Sequence, residues 1–171
     1  FLGICYGMQM AIIEFARNEC GISDANSSEF SKNSKNPVID ILPNQNLEKD
    51  DIGASMRLGT YPCKVISDTH AQEIYGNEIV YERHRHRYEV NNKYRDTLEE
   101  NGLIFSGLSP DNNLVEMIEL KDHPFFVASQ FHPEFKSRPW EPSPIFNSFI
   151  KSASIKTENK NEATIKTKVK D

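Results

Sequence analysis

The sequence predicts an α/β domain, and three features of it carry that expectation. The apolar run Phe1-Leu2-Gly3-Ile4 reads as the end of a strand buried on both faces, and a tight turn leads from it into Met8, Ala11, Ile12, Phe15 and Ala16 at helical spacing over 8–17. Alternating or apolar segments at 61–66, 78–90, 102–108, 114–120 and 125–131 read as strands and hairpins. Near the end, Ser143 is placed to cap a helix opened by Pro144, whose missing N–H costs nothing there, with Ile145, Phe146, Phe149 and Ile150 as its buried stripe.

The connecting segments are as informative. Residues 26–53 are rich in Ser, Asn, Asp and Lys and are interrupted only by 38–42 between Pro37 and Pro43, so they are expected to be largely loop, a mobile flap. After about residue 154 the chain turns to Lys, Thr, Asn and Glu with isolated apolar residues, too few to offset the entropy of ordering. The expected organisation is one domain over 1–153 and a disordered polar tail over 154–171. The start has no Met and no lead-in, and a strand buried on both faces needs neighbours, so the domain reads as truncated on its N-terminal side.

Bulk properties exclude several classes. A net charge of -5 argues against a general polyanion-binding role and hence against nucleic acid. The three cysteines, Cys5, Cys20 and Cys63, form no metal-ligand spacing and no even disulfide framework, which fits a reducing, cytoplasmic setting. No run approaches the roughly 20 apolar residues that cross a bilayer, so no membrane partner is expected.

Three motifs carry chemistry. Gly3-Ile4-Cys5-Tyr6-Gly7 lies at the strand-to-helix junction, the cysteine counterpart of a nucleophile elbow in which the glycines relieve crowding. There the helix N-terminus favours a thiolate, and the N–H of Tyr6 can stabilise an oxyanion. A buried structural cysteine is the plain alternative for that motif alone. In Gln130-Phe131-His132-Pro133-Glu134-Phe135, Pro133 pushes His132 toward an extended backbone, where residues two apart project to one side; a carboxylate beside an imidazole fixes its tautomer and supports its cation. Together with Cys5 these are the parts of a Cys-His-Glu triad. Finally, Glu82-Arg83-His84-Arg85-His86-Arg87-Tyr88-Glu89-Val90, as a strand, puts Arg83, Arg85 and Arg87 on one face and His84, His86 and Tyr88 on the other. The arginine face suits a carboxylate or phosphate, and the plain alternative is a solvated edge strand. No Cys or acidic partner stands at ligand spacing from His84 and His86, so no metal site is expected.

Gly3-Ile4-Cys5-Tyr6-Gly7-Met8-Gln9 with Gln130-Phe131-His132-Pro133-Glu134 resembles the class I, triad-type glutamine amidotransferases. Within them, Glu14 through Asn18, Asp24 through Phe30, Met56-Arg57-Leu58-Gly59, Arg83 through Asn92 and Phe135 through Pro139 resemble the C-terminal domain of the CTP synthases, over residues 1 to about 153. The resemblance implies a flavodoxin-like α/β glutaminase domain joined to an N-terminal synthetase domain that uses ATP and Mg to aminate UTP, with GTP as allosteric activator. By it, Cys5 forms a γ-glutamyl thioester, His132 is the acid/base and Glu134 orients it. Tyr6, Gly7, Met8, Gln9, Glu29 and Arg87 match positions that hold the substrate glutamine; Glu29 suits its ammonium and Arg87 its carboxylate, although Arg87 is equally placed to serve GTP. The family forms homotetramers and in cases filaments.

The sequence departs from that pattern in three places. Tyr6 stands where Leu is usual, Gly53-Ala54-Ser55-Met56 replaces Gly-Gly-Thr-Met, and the upstream Gly-rich loop with a second oxyanion donor is absent. Loss of one such donor costs about 100- to 1000-fold in rate, so low turnover is expected of this chain alone. The alternative functional class is a catalytically weak regulatory, nucleotide-binding or assembly module of the same fold, against which the intact Cys5, His132 and Glu134 argue.

Overall fold

The opening apolar run forms strand β1 (Leu2–Ile4), and after the single residue Cys5 the chain enters helix α1 (Tyr6–Asn18). The structure, a computed structural model, describes residues 1–41 and 56–154. Helix α1 holds Met8, Gln9, Ile12, Ile13, Phe15 and Ala16 buried, the stripe that its helical spacing demands. There follow β2 (Ala25–Ser27), β3 (Asn36–Ile41), β4 (Arg57–Val65), α2 (His70–Tyr75), β5 (Ile79–His86) and β6 (Tyr88–Val90). A 3-10 turn at Asn92–Tyr94 leads into α3 (Arg95–Glu100), then β7 (Ile104–Leu108), β8 (Val115–Glu119), β9 (Val127–Ser129), a 3-10 turn at Pro133–Phe135, and a last helix, α4, over 144–154.

Six strands make one mixed sheet in the order β1-β9-β8-β7-β4-β5, with β1 and β9 parallel and the other neighbours antiparallel. Strand β8 is buried at all five positions because both faces of the sheet are covered. On one side Val115 and Ile118 join α1, Val38, Ile39 and Leu98; on the other Met117 joins Val127, Phe131 and Ile145. The α/β expectation is borne out. A second sheet, β2-β3-β6, lies against α1, with Val38 and Ile39 fully buried.

This second sheet corrects two expectations. The stretch 26–53 is half strand where it is described: Asn26, Ser27 and Asn36–Ile41 are strand, and Asn91 N–H bonds the Val38 carbonyl. The apolar pair Val38-Ile39 and a paired partner strand outweigh the polar composition around them. The part at 42–55, including Ala54, lies outside the described residues, as does the expected tail from 155 onward. Likewise 78–90 is not one strand. It breaks at Arg87, β5 remaining on the edge of the large sheet while β6 pairs antiparallel with β3 in the small one.

Helices α2 and α3 went unread because six residues hold too few apolar positions to show a period. Local chemistry fixes α2 instead. The Thr69 hydroxyl accepts from Gln72 N–H, Glu119 accepts from the N–H groups of His70 and Ala71, and Gly76 ends the helix at φ 66°. In α4 the Ser143 carbonyl, not its hydroxyl, accepts from Phe146 and Asn147, and Ile150 is exposed rather than part of the buried stripe.

Candidate active site

Cys5 is held at φ 51° and ψ -101°, a backbone conformation that costs a non-glycine residue about 1–3 kcal/mol. Its N–H bonds the Ser129 carbonyl at 2.6 Å, and its carbonyl accepts from Met8 and Gln9, so the turn is bound on both sides. A Cβ on Gly3 would stand 2.9 Å from the Ala128 Cβ and 3.0 Å from the Gly7 carbonyl carbon, whereas one on Gly7 would meet nothing. Crowding therefore demands glycine at position 3 alone, not at both as expected.

The parallel register of β1 and β9 pairs Ile4 with Ser129, so both strands deliver their next residues to one end of the sheet. Ligand sites of α/β sheets gather at such carboxyl ends. From β1 comes Cys5; from β9 come Gln130, Phe131 and His132. His132 Nδ1 lies 2.6 Å from Glu134 Oε1, while its buried Nε2 has no hydrogen-bond partner. The expected pairing is present by a different route. Pro133–Phe135 forms a 3-10 turn that curls Glu134 back onto the ring, in place of an extended chain. Phe135 stacks on His132 at 5.1 Å between centroids, and the His132 N–H bonds the Arg83 carbonyl, anchoring it to β5.

Beside Cys5 lies a cavity of about 380 Å³, lined by Cys5, Tyr6, Gln9, Glu29, Met56, Arg85, His86, Arg87 and Tyr88. Of the residues expected to hold a substrate, it collects Tyr6, Gln9, Glu29 and Arg87. Met8 is instead fully buried in the core, and Gly7 is not part of the lining. Along β5, Arg83 and Arg85 lie on the exposed face and His84 and His86 on the buried one, as the alternation predicts, and the cavity takes Arg85 and His86 from the end of that strand and Arg87 from the bend after it.

Burial pushes the Cys5 thiol up to about 11, against the lowering by the Tyr6 N–H and by Gln130. The expected thiolate is thus not the resting form: desolvation outweighs the helix N-terminus. A carboxylate nearby contributes to the same end, for Glu89 raises the thiol further. Glu89 belongs to a buried charged network in which Arg57 reaches Glu89 at 3.2 Å and Glu116 at 2.8 Å, and His86 Nε2 lies 2.8 Å from Glu89. Sequence reasoning missed Gln130, His86 and this network. Gln130 and His86 stood inside quoted motifs without a role because their partners, Cys5 and the Arg57-Glu89-Glu116 network, are brought to them only by the fold. No group of three or more metal-ligating side chains occurs among the described residues.

The glutamine amidotransferase class-I family model matches residues 1–152. The chain belongs to the class-I glutamine amidotransferase family. Within the family it is 62% identical over 152 residues to the CTP synthase of Caldanaerobacter subterraneus, covering 89% of this chain and 28% of that protein. It is 58% identical over 159 residues to the CTP synthase of Bacillus subtilis, covering 93% of this chain and 29% of that one. The chain therefore spans less than a third of the curated relatives it matches. Among solved structures, the Trypanosoma brucei CTPS glutaminase domain with bound acivicin superposes with a TM-score of 0.83 at 40% identity, covering 90% of this chain and 59% of that one. A GMP synthase protein from Thermoplasma acidophilum, at 18% identity and a TM-score of 0.57 over 94% of this chain and 60% of that one, shares the fold.

Proposed function

We propose that this class-I amidotransferase chain is the glutaminase domain of a CTP synthase, with Cys5, His132 and Glu134 as its triad. The observation that carries the reading is that two adjacent parallel strands deliver to one end of the sheet a strained cysteine elbow and a histidine whose Nδ1 is held by a carboxylate and whose Nε2 has no hydrogen-bond partner. Because the resting thiol is protonated, attack needs a base. His132 Nε2 takes the Cys5 proton as the sulfur bonds the carboxamide carbon of glutamine. Glu134 holds the Nδ1–H and offsets the cation so formed. The C–N bond then breaks, His132 returns the proton to the departing nitrogen, and ammonia leaves a γ-glutamyl thioester that water hydrolyses.

In this reading Tyr6, Gln9, Glu29 and Arg87 line the substrate pocket, Glu29 meeting the ammonium and Arg87 the carboxylate of glutamine. ATP, Mg and UTP belong to a synthetase domain of the whole protein, where ammonia replaces an oxygen of UTP. GTP activation, tetramer assembly and a cytoplasmic setting come with the same reading. The test is CTP formation by the full-length protein, wild type against Cys5→Ala, with glutamine or free ammonia as nitrogen source. Loss of the glutamine-dependent rate with the ammonia-dependent rate intact is expected; unchanged glutamine-dependent synthesis would sink the reading.

A further inference from the structure

Gln130 is completely buried, and its side chain touches the sulfur of Cys5, with Nε2 3.6 Å from Sγ. Which end of this amide faces the sulfur is fixed by its neighbours. Gln9 Nε2 lies 2.9 Å from the Tyr88 carbonyl, an acceptor only, so Gln9 must present its NH2 there. The same NH2 lies 3.3 Å from Gln130 Oε1. Gln130 therefore offers its oxygen to Gln9 and keeps its own NH2 for Cys5. The backbone fixes the residue as well, since Gln130 N–H bonds the Glu116 carbonyl at 2.8 Å.

We propose that Gln130 is a further catalytic residue, a neutral donor that holds the Cys5 sulfur and stabilises it as a thiolate when its proton passes to His132. The proposal rests on the assignment of Cys5 as nucleophile. A hydrogen bond to sulfur strengthens when the sulfur becomes an anion, so the contact favours the charged form over the thiol. No atom is transferred from Gln130: both N–H bonds persist while the S–H bond breaks and an Nε2–H bond forms on His132. The site has need of such a donor. Burial and the nearby Glu89 both oppose the anion, and Gln130 joins the Tyr6 N–H on the other side of the balance. Orientation by Gln9 supplies a reason for a buried glutamine on α1 besides substrate contact: a rotated Gln130 amide would aim its oxygen at the sulfur.

Two substitutions in the full-length protein separate this role from packing. Gln130→Glu keeps the shape and the acceptor for Gln9 but replaces the donor by an acceptor. Gln130→Met keeps the length and removes both polar atoms. The readout is a pH titration of the ultraviolet thiolate absorbance, each taken as a difference from the matching Cys5→Ala background, together with kcat and KM for glutamine. The Cys5 titration is expected to move alkaline by about one pH unit in Gln130→Met and further in Gln130→Glu. With it, kcat should fall about tenfold while KM stays within about twofold. If Gln130→Met does not fold, Gln130→Leu, which also lacks the donor and carries no charge, decides, because the carboxylate of Gln130→Glu raises the thiol by its charge as well. An unmoved titration overturns the proposal, whatever happens to kcat, since a packing role alone leaves the thiol where it is. Retention of glutamine hydrolysis in Cys5→Ala would overturn the nucleophile assignment instead, and the titration would still show whether the contact lowers the thiol.

Discussion

Arg57 places its Nη2 2.8 Å from Oε1 of Glu116, a carboxylate with no solvent exposure. The same guanidinium reaches Glu89 at 3.2 Å and sits over the Tyr61 ring at 4.7 Å, so one side chain offsets two buried charges beneath the candidate site. Removing it leaves Glu116 without its hydrogen-bond partner and Glu89 with His86 alone, and breaking such a buried pair costs about 3–5 kcal/mol. Arg57→Met is expected to lower stability by that much in urea denaturation. The loss should be largely recovered in Arg57→Met/Glu116→Gln, where the charge beside the gap is gone as well. A double variant no more stable than the single one would show that packing, not charge, is what Arg57 supplies.

Gly3 supports the turn from the other side. With only 2.9 Å between its virtual Cβ and that of Ala128, Gly3→Ala must push β1 from β9 or shift the elbow. Overpacking of this kind costs about 1–3 kcal/mol. Because the displaced strand leads directly into Cys5, glutaminase activity should fall by more than the stability loss explains, measured at a temperature where the protein remains folded. Gly7→Ala is the control, expected to leave stability within about 1 kcal/mol, and equal losses at the two positions would contradict the packing argument.

How far the sequence carried can be judged at these same residues. The elbow at Cys5 and the pairing of His132 with Glu134 were legible because each sits in a local motif whose geometry the chain sets within a few residues, and β1 and α1 were legible because a continuous apolar run gives way to helical spacing. What could not be read was set by contacts distant in sequence. Residues Asn36–Ile41 became strand through β6, some 50 residues on, and Arg87 left the strand because β5 and β6 belong to different sheets. The protonated resting state of Cys5 escaped for a related reason: a helix N-terminus is visible in a sequence, but the burial that outweighs it is not.

His84 makes the pH dependence testable. It is buried between Tyr61 and Phe131, and burial first, then Arg57, His86 and His132, hold its imidazole far below the usual histidine range, with Glu116 3.7 Å away and Glu89 on the same network. The folded state therefore keeps His84 neutral, while the unfolded chain takes up a proton near pH 6.5. Stability from this group is present above that pH and lost as pH falls below it, at about 1.4 kcal/mol per unit once well below. Glu116 and Glu82, both raised by burial, pull the other way, since their contribution is present below the unfolded carboxylate range and lost as pH rises. Comparing wild type with His84→Phe isolates the histidine: between pH 6.5 and 5.5 the wild type should lose about 1 kcal/mol more than the variant in urea denaturation. Parallel pH profiles would mean that His84 is protonated in the fold.

The elbow stores strain in the proposed nucleophile itself. At φ 51° and ψ -101° Cys5 occupies backbone space that glycine alone enters freely, and two bonded neighbours, Ser129 and Met8, keep it there. Cys5→Gly removes about 1–3 kcal/mol of strain and adds about 0.5–1 kcal/mol of unfolded-chain entropy, so relief wins. Cys5→Ala keeps the Cβ and with it the strain. Cys5→Gly should therefore be the more stable of the two by about 1 kcal/mol in chemical denaturation, with both unable to hydrolyse glutamine. If Cys5→Ala proved equally stable or better, the turn would hold no strain at this position, and the backbone would contribute nothing to presenting the sulfur beyond its place in the chain.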